Sequence, residues 1–175
     1  MSARRRCLLV LAVLVAGSAC GIAHPQDLNY RSDKRLHFLE PKARTLVHIP
    51  VTVRWAIRDF TVRRPGSAPP SENAGYFAVF VDHAPIKPGE TMRVIAKKDE
   101  VCLHRPGCPD EQYLEDRQIY TTTASALTLE QIPPIAGDTE RVQFHYITVV
   151  LLDTTGHRIR EAAWQLDVRM RRPGL

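Results

Sequence analysis

Apolar Val51, Val53, Trp55 and Ile57 alternate with Thr52, Arg54, Ala56 and Arg58. A period of two with the apolar set on one side predicts a β-strand with one face on a core and one in water. Phe60 and Val62 are expected to prolong it. Ala162, Trp164, Leu166, Val168 and Met170 alternate in the same way with Ala163, Gln165, Asp167 and Arg169, which predicts the last strand of the chain. Ahead of it, Arg141 to Leu152 places His145, Ile147, Val149 and Leu151 on one side and Phe144, Tyr146, Thr148, Val150 and Leu152 on the other. Tyr76 to Val81 is apolar or aromatic at every position, which fits a central strand covered on both faces. Shorter extended segments are expected within residues 35–47, from Thr91 to Ala96 and from Ile119 to Leu129.

Turn chemistry separates these segments. Residues 63–73, Pro85 with Pro88-Gly89, Pro133-Pro134 with Gly137-Asp138, and Asp153-Thr154-Thr155-Gly156 all carry the proline, glycine, asparagine or aspartate of reversals. Lys97 to Arg117 reads as one long polar loop, and helix is expected for no more than one turn near Pro109 to Asp116. About seven strands between such turns predict an all-β, two-sheet sandwich over residues 35–171, with residues 172–175 as a tail. A domain of that size buries about two thirds of its surface, enough for one core.

The first residues follow a different rule. Arg4, Arg5 and Arg6 precede an apolar run from Cys7 to Ala16, and Gly17-Ser18-Ala19 leads to Cys20. A charged start, a short apolar middle and a small-residue end make a secretory signal over residues 1–19. Residues 20–34 are polar and aperiodic, as in a flexible tether. The signal changes the meaning of the charge. The chain carries 24 Lys and Arg against 19 Asp and Glu, a formal +5. Removal of residues 1–19 takes away three arginines and no acid, leaving 21 against 19. The basic character belongs largely to the export signal, so nucleic acid is not an expected partner.

Four cysteines are present. Cys7 leaves with the signal and Cys20, the first residue after it, is set apart as the lipidation candidate, so Cys102 and Cys108 remain as a pair. In an exported chain that pair is expected to form a disulfide. Pro106-Gly107 supplies the turn that brings the two Cα atoms within the required ~7 Å. The pair lacks the Cys-x-x-Cys spacing of redox and zinc sites.

Catalytic signatures are absent from the sequence. There is no Gly-x-Ser-x-Gly, glycine-rich phosphate loop, His-Glu-x-x-His or EF-hand loop. The expectation is a chain without enzymatic activity or cofactor. Asp82-His83 closes a buried strand, where Asp82 is expected to bond the amides of the Pro85–Gly89 turn. Asp110, Glu111, Glu115 and Asp116 are expected to be a solvated acidic face rather than a calcium site. Tyr76, Phe77, Phe80, Trp55 and Trp164 would suit a sugar platform, but strand positions make them core.

Two resemblances carry function. Ala16-Gly17-Ser18-Ala19-Cys20 resembles a bacterial lipoprotein box, which implies a diacylglyceryl group on Cys20, further acylation such as palmitate, and a lipid-anchored location outside the cytoplasm. An ordinary signal peptide with an incidental cysteine, or an uncleaved anchor, remains open on the residues alone. Gly75 to Asp82, Pro88-Gly89, Leu129 with Ile132-Pro133, and the run from His145 to Gly156 resemble bacterial extracytoplasmic immunoglobulin-like or fibronectin type III-like domains. That resemblance implies an immunoglobulin-like sandwich in the cell envelope. The functional expectation is a membrane-anchored interaction or structural module with a protein partner, its contact surface on the loop from Lys97 to Arg117. The alternative is a carrier of a metal ion or small ligand using Asp82, His83 and His104.

Overall fold

A computed structural model of the chain describes residues 34–171. The signal at residues 1–19, the lipidation residue Cys20, the tether up to residue 33 and the tail at 172–175 lie outside the described residues. The fold is an all-β, two-sheet sandwich. Strands β1 (Leu36–Glu40), β3 (Val51–Ile57) and β7 (Ala126–Leu129) form an antiparallel sheet in the order β1-β3-β7. The larger sheet runs in the order β2 (Leu46–Val47), β9 (Arg158–Arg171), β8 (Val142–Asp153), β5 (Ala74–Val81) and β4 (Thr61–Val62), and β6 (Ile119–Thr122) also pairs with β5. The antiparallel trio β9-β8-β5 is its spine.

Side-chain alternation explains the core. Val51, Val53 and Trp55 of β3 are buried while Thr52 and Arg54 are exposed, as the sequence period predicts. They face Phe77, Val79 and Val81 of β5, Ile147, Val149 and Leu151 of β8, and Trp164, Leu166 and Val168 of β9. Trp55 and Phe77 meet edge to face at 5.4 Å between ring centroids, a favoured aromatic geometry. The five aromatics weighed as a sugar platform are all buried. Each large apolar side chain removed from water stabilises the fold by about 1.5–3 kcal/mol.

The reverse face of the spine is covered as well. Tyr76, Ala78 and Phe80, with Val150, Leu152 and Ala163, pack against Ile86, Met92, Leu114 and Ile119. This third layer is why β5 is apolar at every position, since neither of its faces meets water.

Several boundaries differ from the sequence expectation, and the described residues hold nine strands where about seven were expected. Residues 35–47 hold two strands, β1 and β2, in different sheets. Phe60 and Val62 do not prolong β3. The chain turns at Asp59, which adopts φ 55°, and β4 joins β5 in parallel. Ile119 to Leu129 likewise splits into β6 and β7, one in each sheet. All three are places where an extended segment crosses between sheets. A crossing strand keeps its β-forming residues and changes only its partner. Thr91 to Ala96 is not a strand: Met92–Ala96 is a 3₁₀ helix with Met92 and Ala96 buried. The long polar loop contains two short helices, α1 (Glu100–His104) and α2 (Glu111–Glu115).

Candidate binding site

Residues 82–118 leave the end of β5 and return as β6 beside the same strand, so the segment is a lobe inserted into a strand pair. Its two ends are left-handed residues, Asp82 and Gln118, both at φ 56°. At the exit the Asp82 side chain replaces the next ladder carbonyl. Its Oδ1 accepts the Tyr146 amide at 2.8 Å and its Oδ2 accepts from Nδ1 of His145 at 2.7 Å. The expected bonds to the Pro85–Gly89 turn are therefore not what Asp82 makes. The Lys87 amide of that turn is taken by Glu90 Oε2 at 2.9 Å, and Gly89 N donates to Arg158 O. His145 is fully buried on the core side of β8, and its Nε2 has no hydrogen-bond partner among the described residues.

The lobe is stiff for identifiable reasons. Asp99 caps α1 by accepting the Cys102 amide at 3.0 Å, and Asp110 caps α2 by accepting the Tyr113 amide at 2.9 Å. Cys102 and Cys108 are joined by a disulfide, with Cα atoms 5.3 Å apart. Arg105 pairs with Asp110 at 2.8 Å. Arg117 lies over the Tyr113 ring, 3.6 Å from its centroid, and reaches Asp99 at 3.7 Å. The acidic group weighed for calcium is thus used locally: Asp110 caps and pairs, and Asp116 accepts from Gln112 Nε2 at 2.7 Å.

Asp99 records this wiring electrostatically. The Cys102 amide, foremost, holds its carboxyl below the usual carboxylate range; desolvation opposes it, and the Tyr113 hydroxyl and the Arg117 charge add to the lowering. A depressed carboxyl stabilises the folded lobe above its unfolded range, and that stabilisation disappears as pH falls through the folded value. Acid is therefore expected to loosen α1. Amide exchange at Cys102 should accelerate, beyond the intrinsic pH effect, as pH drops below about 4. Asp99→Asn should remove most of that pH dependence. An α1 equally protected at pH 3 and pH 7 would contradict the assignment.

Between the lobe and the β8–β9 turn lies an open cleft of about 560 Å³. One wall is the disulfide ring, from Leu103 to Pro109. The opposite wall is Thr155 and Gly156, with Met92 and Arg93 alongside and Tyr76 at the base. The turn is fixed by Asp153, whose carboxylate accepts from the Thr155 amide and hydroxyl and from the His157 amide at 2.7–3.0 Å. Burial alone would raise the Asp153 pKa, but these hydrogen bonds and the nearby His157 outweigh it and the net direction is down. Gly156 is at φ 86°, and a Cβ there would sit 3.3 Å from the Tyr76 hydroxyl.

Of the residues weighed for metal, Asp82 is committed to β8, His83 is exposed and His104 stands on the cleft wall. Among the described residues, no group of three or more His, Cys, Asp and Glu side chains could hold a metal ion. Sequence reasoning found the cysteine pair and the long segment from Lys97 to Arg117, which is only the second half of the lobe. It missed the cleft, because Tyr76 reads as a core residue and the walls come from three distant segments. No family model, curated protein or solved structure matches the chain.

Proposed function

We propose that the chain is a membrane-anchored extracytoplasmic lipoprotein whose immunoglobulin-like sandwich is a non-catalytic interaction module in the cell envelope. The anchor reading is supported by the N-terminal signal pattern ending in Cys20 and by the pairing of the two remaining cysteines. Acyl chains at Cys20 would hold the protein at a membrane, since more than one chain makes attachment stable.

The observation that carries the module reading is the construction of the lobe. Two capped turns and a disulfide hold a surface on which the Val101 side chain is left outside, at 81% exposure, with Leu103 beside it at 39%. A preorganised surface loses little entropy on binding, and an apolar pair on it supplies the driving contact. The test has two parts. Cys20→Ala should move the chain from the membrane to the soluble fraction, and mass spectrometry of the parent should find a lipid-modified Cys20. A photo-crosslinker at position 101 should capture one discrete partner, and one at position 52 on the smaller sheet should not. A soluble parent chain, or equal capture from both positions, would overturn the reading.

A further inference from the structure

The cleft has a polarity that follows from its walls. The Arg93 and His104 side chains make no hydrogen bond or ion pair among the described residues, and Arg105 is partly neutralised by Asp110. No aspartate or glutamate lines the cleft. Tyr76 is only 8% exposed, yet its hydroxyl makes no hydrogen bond among the described residues and lies at the cleft base against Gly156. The residue is buried as a whole, but its hydroxyl reaches the cleft and stands there as a donor that the fold does not use. Burial first, and the Asp153 charge second, raise the Tyr76 pKa, so the hydroxyl remains a donor across the physiological range. The Asp153 carboxylate itself is already satisfied by three donors of its own turn.

Donors without acceptors define an acceptor-bearing ligand. A cleft of this volume far exceeds a bare inorganic ion, and Leu103 and Pro106 give it an apolar side. Guanidinium groups bind planar carboxylates through paired parallel hydrogen bonds. We propose that this cleft is a carboxylate-binding site, taking the acidic group of an extended, partly apolar ligand such as an acidic peptide segment, with Tyr76 donating at its base and Arg93 and Arg105 at its rim. The proposal deepens the reading of the lobe as a contact surface and does not depend on the anchor.

The probe is N-acetylleucine against its isosteric amide, N-acetylleucinamide, followed by amide chemical shifts of the detergent-solubilised full chain. The acid should shift Gly107 and Gly156 saturably, and the amide should bind at least about tenfold more weakly. Tyr76→Phe should weaken the acid about tenfold, the usual effect of removing one hydrogen bond to a charged group. Arg93→Gln, an exposed substitution outside the core, keeps the test valid should Tyr76→Phe fail to fold, and should also weaken the acid severalfold. Equal binding of acid and amide, no saturable shift, or inorganic phosphate binding more tightly than the acid would overturn the proposal. Capture of a partner from position 101 by a chain that ignores the acid would defeat this inference alone. Acid binding by a chain that captures no partner would uphold it and defeat the module reading.

Discussion

Gly75→Ala is expected to destabilise the fold by about 3–5 kcal/mol, lowering Tm by about 10–20 °C. Gly75 lies opposite Asp153 where β5 and β8 pair, and a Cβ at this position would come 1.8 Å from the Leu152 carbonyl oxygen. The Asp153 Cα would be 2.8 Å away. Both neighbours are backbone, so no rotamer change relieves the clash. One of the two spine strands must shift, and each carries core on both faces. Close-packed interiors transmit such a shift rather than absorb it. Gly66→Ala is the control: nothing lies within 4 Å of a Cβ there, and the only penalty is the left-handed φ of 69°, about 1 kcal/mol. Chemical denaturation of both variants checks the difference, and a Gly75→Ala loss no larger than that of Gly66→Ala would show that the two strands can separate freely.

The second large effect is expected at Asp82. Asp82→Ala removes the acceptor for both the Tyr146 amide and the buried His145 ring, and it places a Cβ-bearing apolar residue at φ 56°. His145 would then keep neither of its side-chain nitrogens bonded, since Nε2 has no partner among the described residues. Each buried polar group stripped of its partner costs about 1–3 kcal/mol, so a loss of about 3 kcal/mol is expected. Asp82→Asn separates the causes. Its carbonyl oxygen can still accept from Tyr146, its amide can meet the ring nitrogen, and asparagine tolerates the left-handed region. A loss near 1 kcal/mol is expected for Asn, measured in the same denaturation series. Equal losses for Ala and Asn would point to the charge rather than to the satisfied hydrogen bonds.

The legible part of this fold was its periodicity. Alternation in β3 and the unbroken apolar run of β5 report how many faces of a strand are covered, and both were readable from residue type. So was the Asp153–Gly156 turn, whose side-chain and glycine chemistry is local. The hidden part was partner choice. β1 and β2, β3 and β4, and β6 and β7 each change sheets within a stretch whose residues remain β-formers, so nothing in the pattern marks the crossing. The helices α1 and α2 span five residues each, too short for a 3.6-residue period to emerge. Each start is fixed locally all the same, by the capping side chain of Asp99 or Asp110 and a first-turn acid at Glu100 or Glu111. His145 lay on the apolar side of its strand and Asp82 at the end of another. Their contact joins residues 63 apart, and only the register of β5 against β8 creates it.

The covering of the spine on its second side has a consequence for shortening this protein. Excising the lobe to simplify the domain would strip the lid from Tyr76, Phe80, Val150 and Leu152 and leave a greasy wall of paired strands in water. Two such truncated molecules would satisfy each other better than either satisfies solvent. The trimmed domain is therefore expected to clump or dimerise through that wall, and the lobe doubles as the cover that keeps the wall from meeting another copy.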